Sequence, residues 1–237
     1  MKKDSGIKID GGTNVKPSDK ANVKPKNKLG KKIRQRLLSL SENHFWSCIL
    51  FFILLFMTLT LVIGMAQSVW FDEAYSITLA KKSVEELIHL TAIDVHPPVY
   101  YLFLHFWGGI FGFSELSLRV SSLIMMTTAI ILMAELLKKL FNKRFAVFAT
   151  FLLCLSPMLV RYGFEVRMYA MATMLAVLAT LVLVNLENEK ILRRRRILQL
   201  SYAILVAIGM LTLYYTIVIW LTHAAYLIWQ AVKNKKS

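Results

Sequence analysis

The chain has 237 residues, a formal charge of +15 and 57% hydrophobic side chains, where soluble globular domains carry about 45–50%. That excess excludes a soluble domain and indicates an integral membrane protein. The basic residues fall in short clusters beside apolar runs rather than along one amphipathic face, so they read as topology signals and exclude a nucleic-acid binder.

Residues 1–44 form a basic tail rich in Lys, Asn, Gly, Ser and Pro, too poor in large apolar residues to offset the entropy of folding. They are expected to be disordered and cytoplasmic. The end of the tail, "KNKLGKKIRQRLL", places Lys26, Lys28, Lys31, Lys32, Arg34 and Arg36 beside the membrane, where they attract anionic lipid. The first apolar run is long and no small-residue cleavage site follows it, so a signal peptide is not expected.

The transmembrane module is expected over 45–232, followed by a cytoplasmic tail at 233–237. Phe45 to about Met65 is long enough to cross a hydrocarbon core of about 30 Å. Further apolar runs occupy Val120–Leu137, Phe145–Val160, Met168–Leu186, Ile197–Leu213 and Thr216–Val232, so the chain reads as an all-α polytopic bundle of about six spans. The stretch "HPPVYYLFLHFWGGIFGF" (His96–Phe113) tempts a seventh. Its apolar helix, from Val99, covers only about 22 Å at 1.5 Å per residue. Counting it as a span also puts "KKLFNKR", "RRRR" and "KNKK" outside, against the positive-inside rule. It is therefore read as interfacial, within an external loop over 66–118 that also holds an amphipathic piece at Ser83–Leu90. A short second external loop covers 161–167. Both termini are then cytoplasmic and the protein is a multi-pass protein of the cell membrane.

On this topology the outer face collects Asp72, Glu73, Asp94, His96, Arg119 and the loop "RYGFEVRMY" (Arg161–Tyr169). Ionisable groups at membrane depth are costly and usually functional, and Arg119, Arg161 and Arg167 lie outside against the charge bias. An external anion accounts for them. Each group also has a plainer reading: Asp72–Glu73 as acids at a helix N-terminus, His96–Pro97–Pro98 as a turn and helix start, and Arg161, Glu165 and Arg167 as an exposed salt bridge within the loop. Cys48 and Cys154 lie in apolar stretches and imply no disulfide. There is no zinc spacing, phosphate loop or nucleophile elbow. The Asp72–Glu73 pair can offer oxygen ligands to a divalent cation but is too small a set to define a metal site. Glu135 is the one acid deep in an apolar run and no repeat is visible, which disfavours a transporter.

The order and spacing of a first span, "DEAYS", "HPPVYYLFLHFW", "FGFSELSLRVSS" and "LSPMLVRYGFEVRMYAM" resemble the N-terminal half of the GT-C membrane glycosyltransferases. The bacterial members similar to protein O-mannosyltransferases and lipid A aminoarabinose transferases are nearest in pattern. The resemblance implies transfer of a sugar, by a hexosyltransferase-type enzyme, from a polyprenyl-phosphate carrier to an acceptor hydroxyl of a lipid, glycan or protein on the outer face. It implies Asp72 as catalytic base, Glu73 as its partner and Glu165 as the acid of the second loop. Arg119, Arg167, Tyr169 and Arg161 are implied at the donor phosphate, and His96 and Pro97 at the acceptor or in its loop. One base and one cationic clamp suit a single displacement with inversion, by analogy with inverting glycosidases. Because the resemblance covers only the family's N-terminal half, the alternative expectation is a truncated or non-catalytic membrane partner of a second subunit.

Overall fold

The computed structural model describes residues 44–235. The basic tail and its expected attraction for anionic lipid lie outside the described residues, as does the end of the C-terminal tail.

Helix α1 (Phe45–Met65) buries Phe45, Ile49, Ile53, Phe56, Thr60 and Gly64. These recur every three or four residues and make one packing stripe, while Trp46, Leu50, Phe51, Leu54 and Val62 point away from the bundle. Three short helices follow: α2 (Phe71–Ala80), α3 (Val84–Ile93) and α4 (Val99–Phe111). Ser83 caps α3 by accepting a hydrogen bond from the Glu86 N–H. The α4 helix is tied to α2 through His105 Nδ1 and the Ala80 carbonyl, 2.9 Å apart. Its 13 residues reach about 20 Å, in keeping with an interfacial helix. Gly112, in the left-handed region at φ 85°, turns the chain into the next helix.

Helix α5 (Glu115–Leu140) is the central element and packs against α1, α4, α6 (Lys143–Cys154), α7 (Pro157–Phe164) and α8 (Tyr169–Asn188). Its ends suit a helix dipole, with Glu115 in the first turn and Lys138 and Lys139 in the last. A lipid-embedded bundle associates through close packing rather than water exclusion. Gly64 illustrates this: a Cβ there would lie 2.8 Å from the Cβ of Phe164, so only glycine lets the end of α1 reach the end of α7. Helix α9 (Leu192–Met210), a 3-10 turn (Tyr214–Thr216) and α10 (Ile217–Lys235) complete the described chain.

By length and apolarity four helical stretches can cross a membrane, around α1, α5, α8 and α10, or five if α6 and α7, bent by 64°, form one broken span. Connectivity makes that pair a crossing. Lys138, near the C-terminus of α5, lies over the Phe45 and Trp46 rings at the start of α1, and Lys139 donates to Asn185 Oδ1 near the C-terminus of α8. Helices α5 and α8 are therefore parallel, and α6–α7 must return the chain between them. The expected span at Ile197–Leu213 is α9, which begins with four arginines and keeps only Ile197–Met210 as its apolar part, about 21 Å. It still runs the depth of the bundle: Arg195 near its start lines a groove with Leu186 and Glu187 near the end of α8, and the Leu211 carbonyl just past its end accepts the Val99 N–H at the head of α4.

Candidate active site

Three helix ends and one loop meet where the chain leaves α1, enters α5 and enters α8. Glu73, in the first turn of α2, is 1% exposed. Its Oε2 accepts from Arg119 Nη2 at 3.2 Å and from the Trp70 N–H at 3.4 Å, and its Oε1 accepts the Val166 N–H at 2.9 Å. One carboxylate thus closes the start of α2, pairs with α5 and holds the loop before α8. The same loop is held from its other side, where Ser122 donates to the Glu165 carbonyl at 2.8 Å.

Arg119 is 2% exposed. Beside Glu73 it donates Nη1 to the Gly64 and Gln67 carbonyls at the end of α1 and pairs with Glu115 at 2.6 Å. The resemblance implies contact between Arg119 and a donor phosphate; its terminal nitrogens join α1, α2 and α5, while its Nε is buried without a hydrogen-bond partner among the described residues. Glu73 likewise turns to Arg119 rather than to its neighbour Asp72.

Asp72 takes the other direction. Its side chain is 38% exposed and its Oδ2 lies 3.9 Å from Arg167 Nη2. Arg167 is 5% exposed, and Nη2 also donates to His96 Nε2 at 3.2 Å. Its Nε is buried without a hydrogen-bond partner among the described residues, and so is the hydroxyl of Tyr101, close enough to feel the Arg167 charge. Buried donors left unpaired are rare and call for a partner. Asp72, His96 and Arg167 therefore converge from α2, from the turn before α4 and from the loop before α8. Pro97 belongs to that turn, behind Pro98, the N-cap of α4.

Glu165 is 3% exposed, with Oε2 lacking a hydrogen bond and 3.8 Å from Arg161 Nε. Burial raises its pKa; Arg161 opposes this, while Glu73 and Asp72 add to it. Arg161 is mostly exposed and lies over the Trp70 ring. Tyr169 packs its ring on Tyr162 and lines an apolar groove of about 390 Å³ with Met158, Leu213 and Ile219, apart from the Arg167 guanidinium's hydrogen bonds.

Two neighbours of the cluster carried no assigned role in the sequence. Asp94 accepts from the Tyr75 hydroxyl at 2.7 Å and the Val95 N–H at 2.7 Å, and lies 3.2 Å from His96 Nδ1. Partial burial works against its charge, yet these hydrogen bonds hold its pKa below the ordinary carboxylate value. Tyr75 is pushed up to about 12 by burial and by Asp94. The only sequence signal was the position of Asp94 two residues before His96. Among the described residues no three of His, Cys, Asp and Glu converge as a metal-binding group.

Residues 95–237 match the family model described as dolichyl-phosphate-mannose-protein mannosyltransferase, of the GT-C type. That stretch holds His96, Arg119, Glu165 and Arg167 and begins after Asp72 and Glu73. No curated protein and no solved structure matches the chain significantly.

Proposed function

We propose, on the premise that this chain belongs to the dolichyl-phosphate-mannose-protein mannosyltransferase family, that it moves a sugar from a polyprenyl phosphate to an acceptor hydroxyl at the Asp72–Arg167 site. The observation that supports this most is an accessible carboxylate 3.9 Å from a buried guanidinium whose Nε is unpaired. A hydroxyl is a weak nucleophile, and a carboxylate about 2.6–3.2 Å from it takes its proton as the bond to the sugar forms. Asp72 fills that role. As the acceptor oxygen bonds to the anomeric carbon, the carbon–oxygen bond to phosphate breaks and the lipid leaves as a phosphate anion. It needs no proton, but it needs positive charge where negative charge develops. Arg167 supplies that charge through N–H groups suited to two phosphate oxygens. Attack by the acceptor oxygen as the phosphate leaves is a single displacement, which gives inversion at the sugar carbon, by analogy with inverting glycosidases.

Glu73 and Arg119 act through position: their pairing holds the loop that carries Arg167. Glu165 and Arg161 border the same loop. Arg161, exposed beside Trp70, can meet the donor's second oxygen face as it approaches, and Tyr169 with its groove suits the lipid tail. The acceptor is a lipid, glycan or protein hydroxyl that enters by the His96–Pro97 turn.

The end of the bundle opposite the site carries Lys138, Lys139, Lys143, Arg144 and Arg193–Arg196, which the positive-inside rule makes cytoplasmic and so turns the site outward. The test is Arg167→Lys in membranes supplied with polyprenyl-phosphate mannose. The ammonium keeps the charge and loses the fork, so donor use should weaken by about 10- to 100-fold, the worth of one charge-assisted hydrogen bond. Unchanged donor affinity and turnover would return Arg167 to a structural role.

A further inference from the structure

The arginine cannot accept a hydrogen bond, so in the Arg167 Nη2 to His96 Nε2 contact of 3.2 Å the imidazole supplies a lone pair. Its proton then sits on Nδ1, facing Asp94 Oδ2 at 3.2 Å. A carboxylate accepts only, so Asp94 fixes that tautomer. With Oδ2 also taking the Tyr75 hydroxyl and Oδ1 the Val95 N–H, Asp94 is itself held in place. The chain of contacts runs Tyr75, Asp94, His96, Arg167, and its end lies beside Asp72.

The geometry points to Asp94 as a positioning residue, which locks His96 as the Nδ1–H tautomer and so aims Arg167 at the donor phosphate. This rests on the reading of Arg167 as the phosphate clamp. A histidine free to choose its tautomer would present Nε2–H to the guanidinium half of the time or more, donor against donor, and Arg167 would turn away. Orienting one ring nitrogen by a partner on the other is a general device. Tyr101 is the floor of the arrangement: its ring meets those of Tyr75 and His96 edge-on, with centroids 6.2 and 6.5 Å apart.

Asp94→Asn is the informative variant, because an amide fits the same space and either accepts from Nδ1–H or, turned over, donates to Nδ1 and stabilises the wrong tautomer. The full chain in lipid nanodiscs is titrated with polyprenyl phosphate, and its ring nitrogens are followed by NMR, with the His96 signal identified by its loss in His96→Gln. Wild type should show His96 protonated at Nδ1. Asp94→Asn should populate the Nε2–H form and weaken polyprenyl phosphate by about 10-fold, up to the full worth of the arginine contact. The same change should cost nothing further in Arg167→Ala, where the group to be aimed is gone. Nor should it matter in His96→Gln, whose amide oxygen accepts from Arg167 in any register of Asp94.

If Arg167→Ala binds the lipid phosphate like wild type, the clamp itself fails and this inference with it. If Arg167→Ala weakens binding but Asp94→Asn leaves affinity and tautomer unchanged, only the role of Asp94 is overturned. An equal loss from Asp94→Asn in the Arg167→Ala background would also overturn it, because Asp94 would then act elsewhere.

Discussion

Asp72 and Glu73 are consecutive residues with opposite surroundings, and helix geometry is the reason. Neighbours on a helix project about 100° apart, so at the first turn of α2 one carboxylate faces the bundle and the other the opening. Their substitutions should therefore fail in different ways. Glu73→Gln removes the more deeply buried of two carboxylates paired with a guanidinium that is 2% exposed, and breaking a buried ion pair from one side costs up to about 3–5 kcal/mol. Glu73→Gln should lower thermal stability in detergent far more than Asp72→Asn. Equal melting temperatures for the two variants would contradict the anchoring role of Glu73. None of this was legible in the string "DE": the partners of Glu73 are Arg119 and Val166, 46 and 93 residues away, and no local pattern announces them.

Among the elements, the loop between α7 and α8 is the least expected. The sequence suggested an exposed salt bridge within "RYGFEVRMY", and only its Arg161–Glu165 half is present. Ser122 and Glu73 draw the loop inward, so Glu165 is buried with an unsatisfied oxygen. A carboxyl whose folded pKa is raised binds its proton more tightly in the folded protein. Its stabilising contribution is complete below the unfolded value, about 4.3 for Glu, and is lost as pH rises through the raised folded value. Unfolding measured across that window should show stability falling with pH, and Glu165→Gln should flatten the fall. A slope unchanged by the substitution would place the titration on another group. The helices around the loop were far easier to foresee. Their apolar lengths are local signals, as is the proline start of α4, whereas the run read as one span over Phe145–Val160 is broken at Pro157 into two helices bent by 64°. The short apolar reach of α9 is explained by the arginines that occupy its first turn.

At the scale of the whole molecule, the site lies at one end of the bundle and most of the basic clusters at the other. That separation rests on charge spacing legible in sequence and on the pairings of Lys138 and Lys139 at the far end. The convergence of Asp72, His96 and Arg167 was suggested by resemblance. Its detailed shape depends on packing that spacing does not encode, as does the addition of Asp94 and Tyr75. The topology is checked by placing single cysteines at the exposed positions Lys190 and Glu85, with Cys48 and Cys154 replaced by alanine. An impermeant thiol reagent on intact cells should label position 85 and spare position 190. The reverse pattern would turn the site to the cytoplasm.

The measurement that bears most directly on the central claim is transfer by Asp72→Asn, with the protein in membranes, a polyprenyl-phosphate sugar as donor and a hydroxyl acceptor established with wild type. The amide keeps the shape and much of the hydrogen bonding but cannot take the acceptor's proton. Turnover should fall by about 10²- to 10⁴-fold while donor binding, held by Arg167, survives. Near-normal turnover would contradict Asp72 as the base and leave the exposed acid as an anchor for the start of α2.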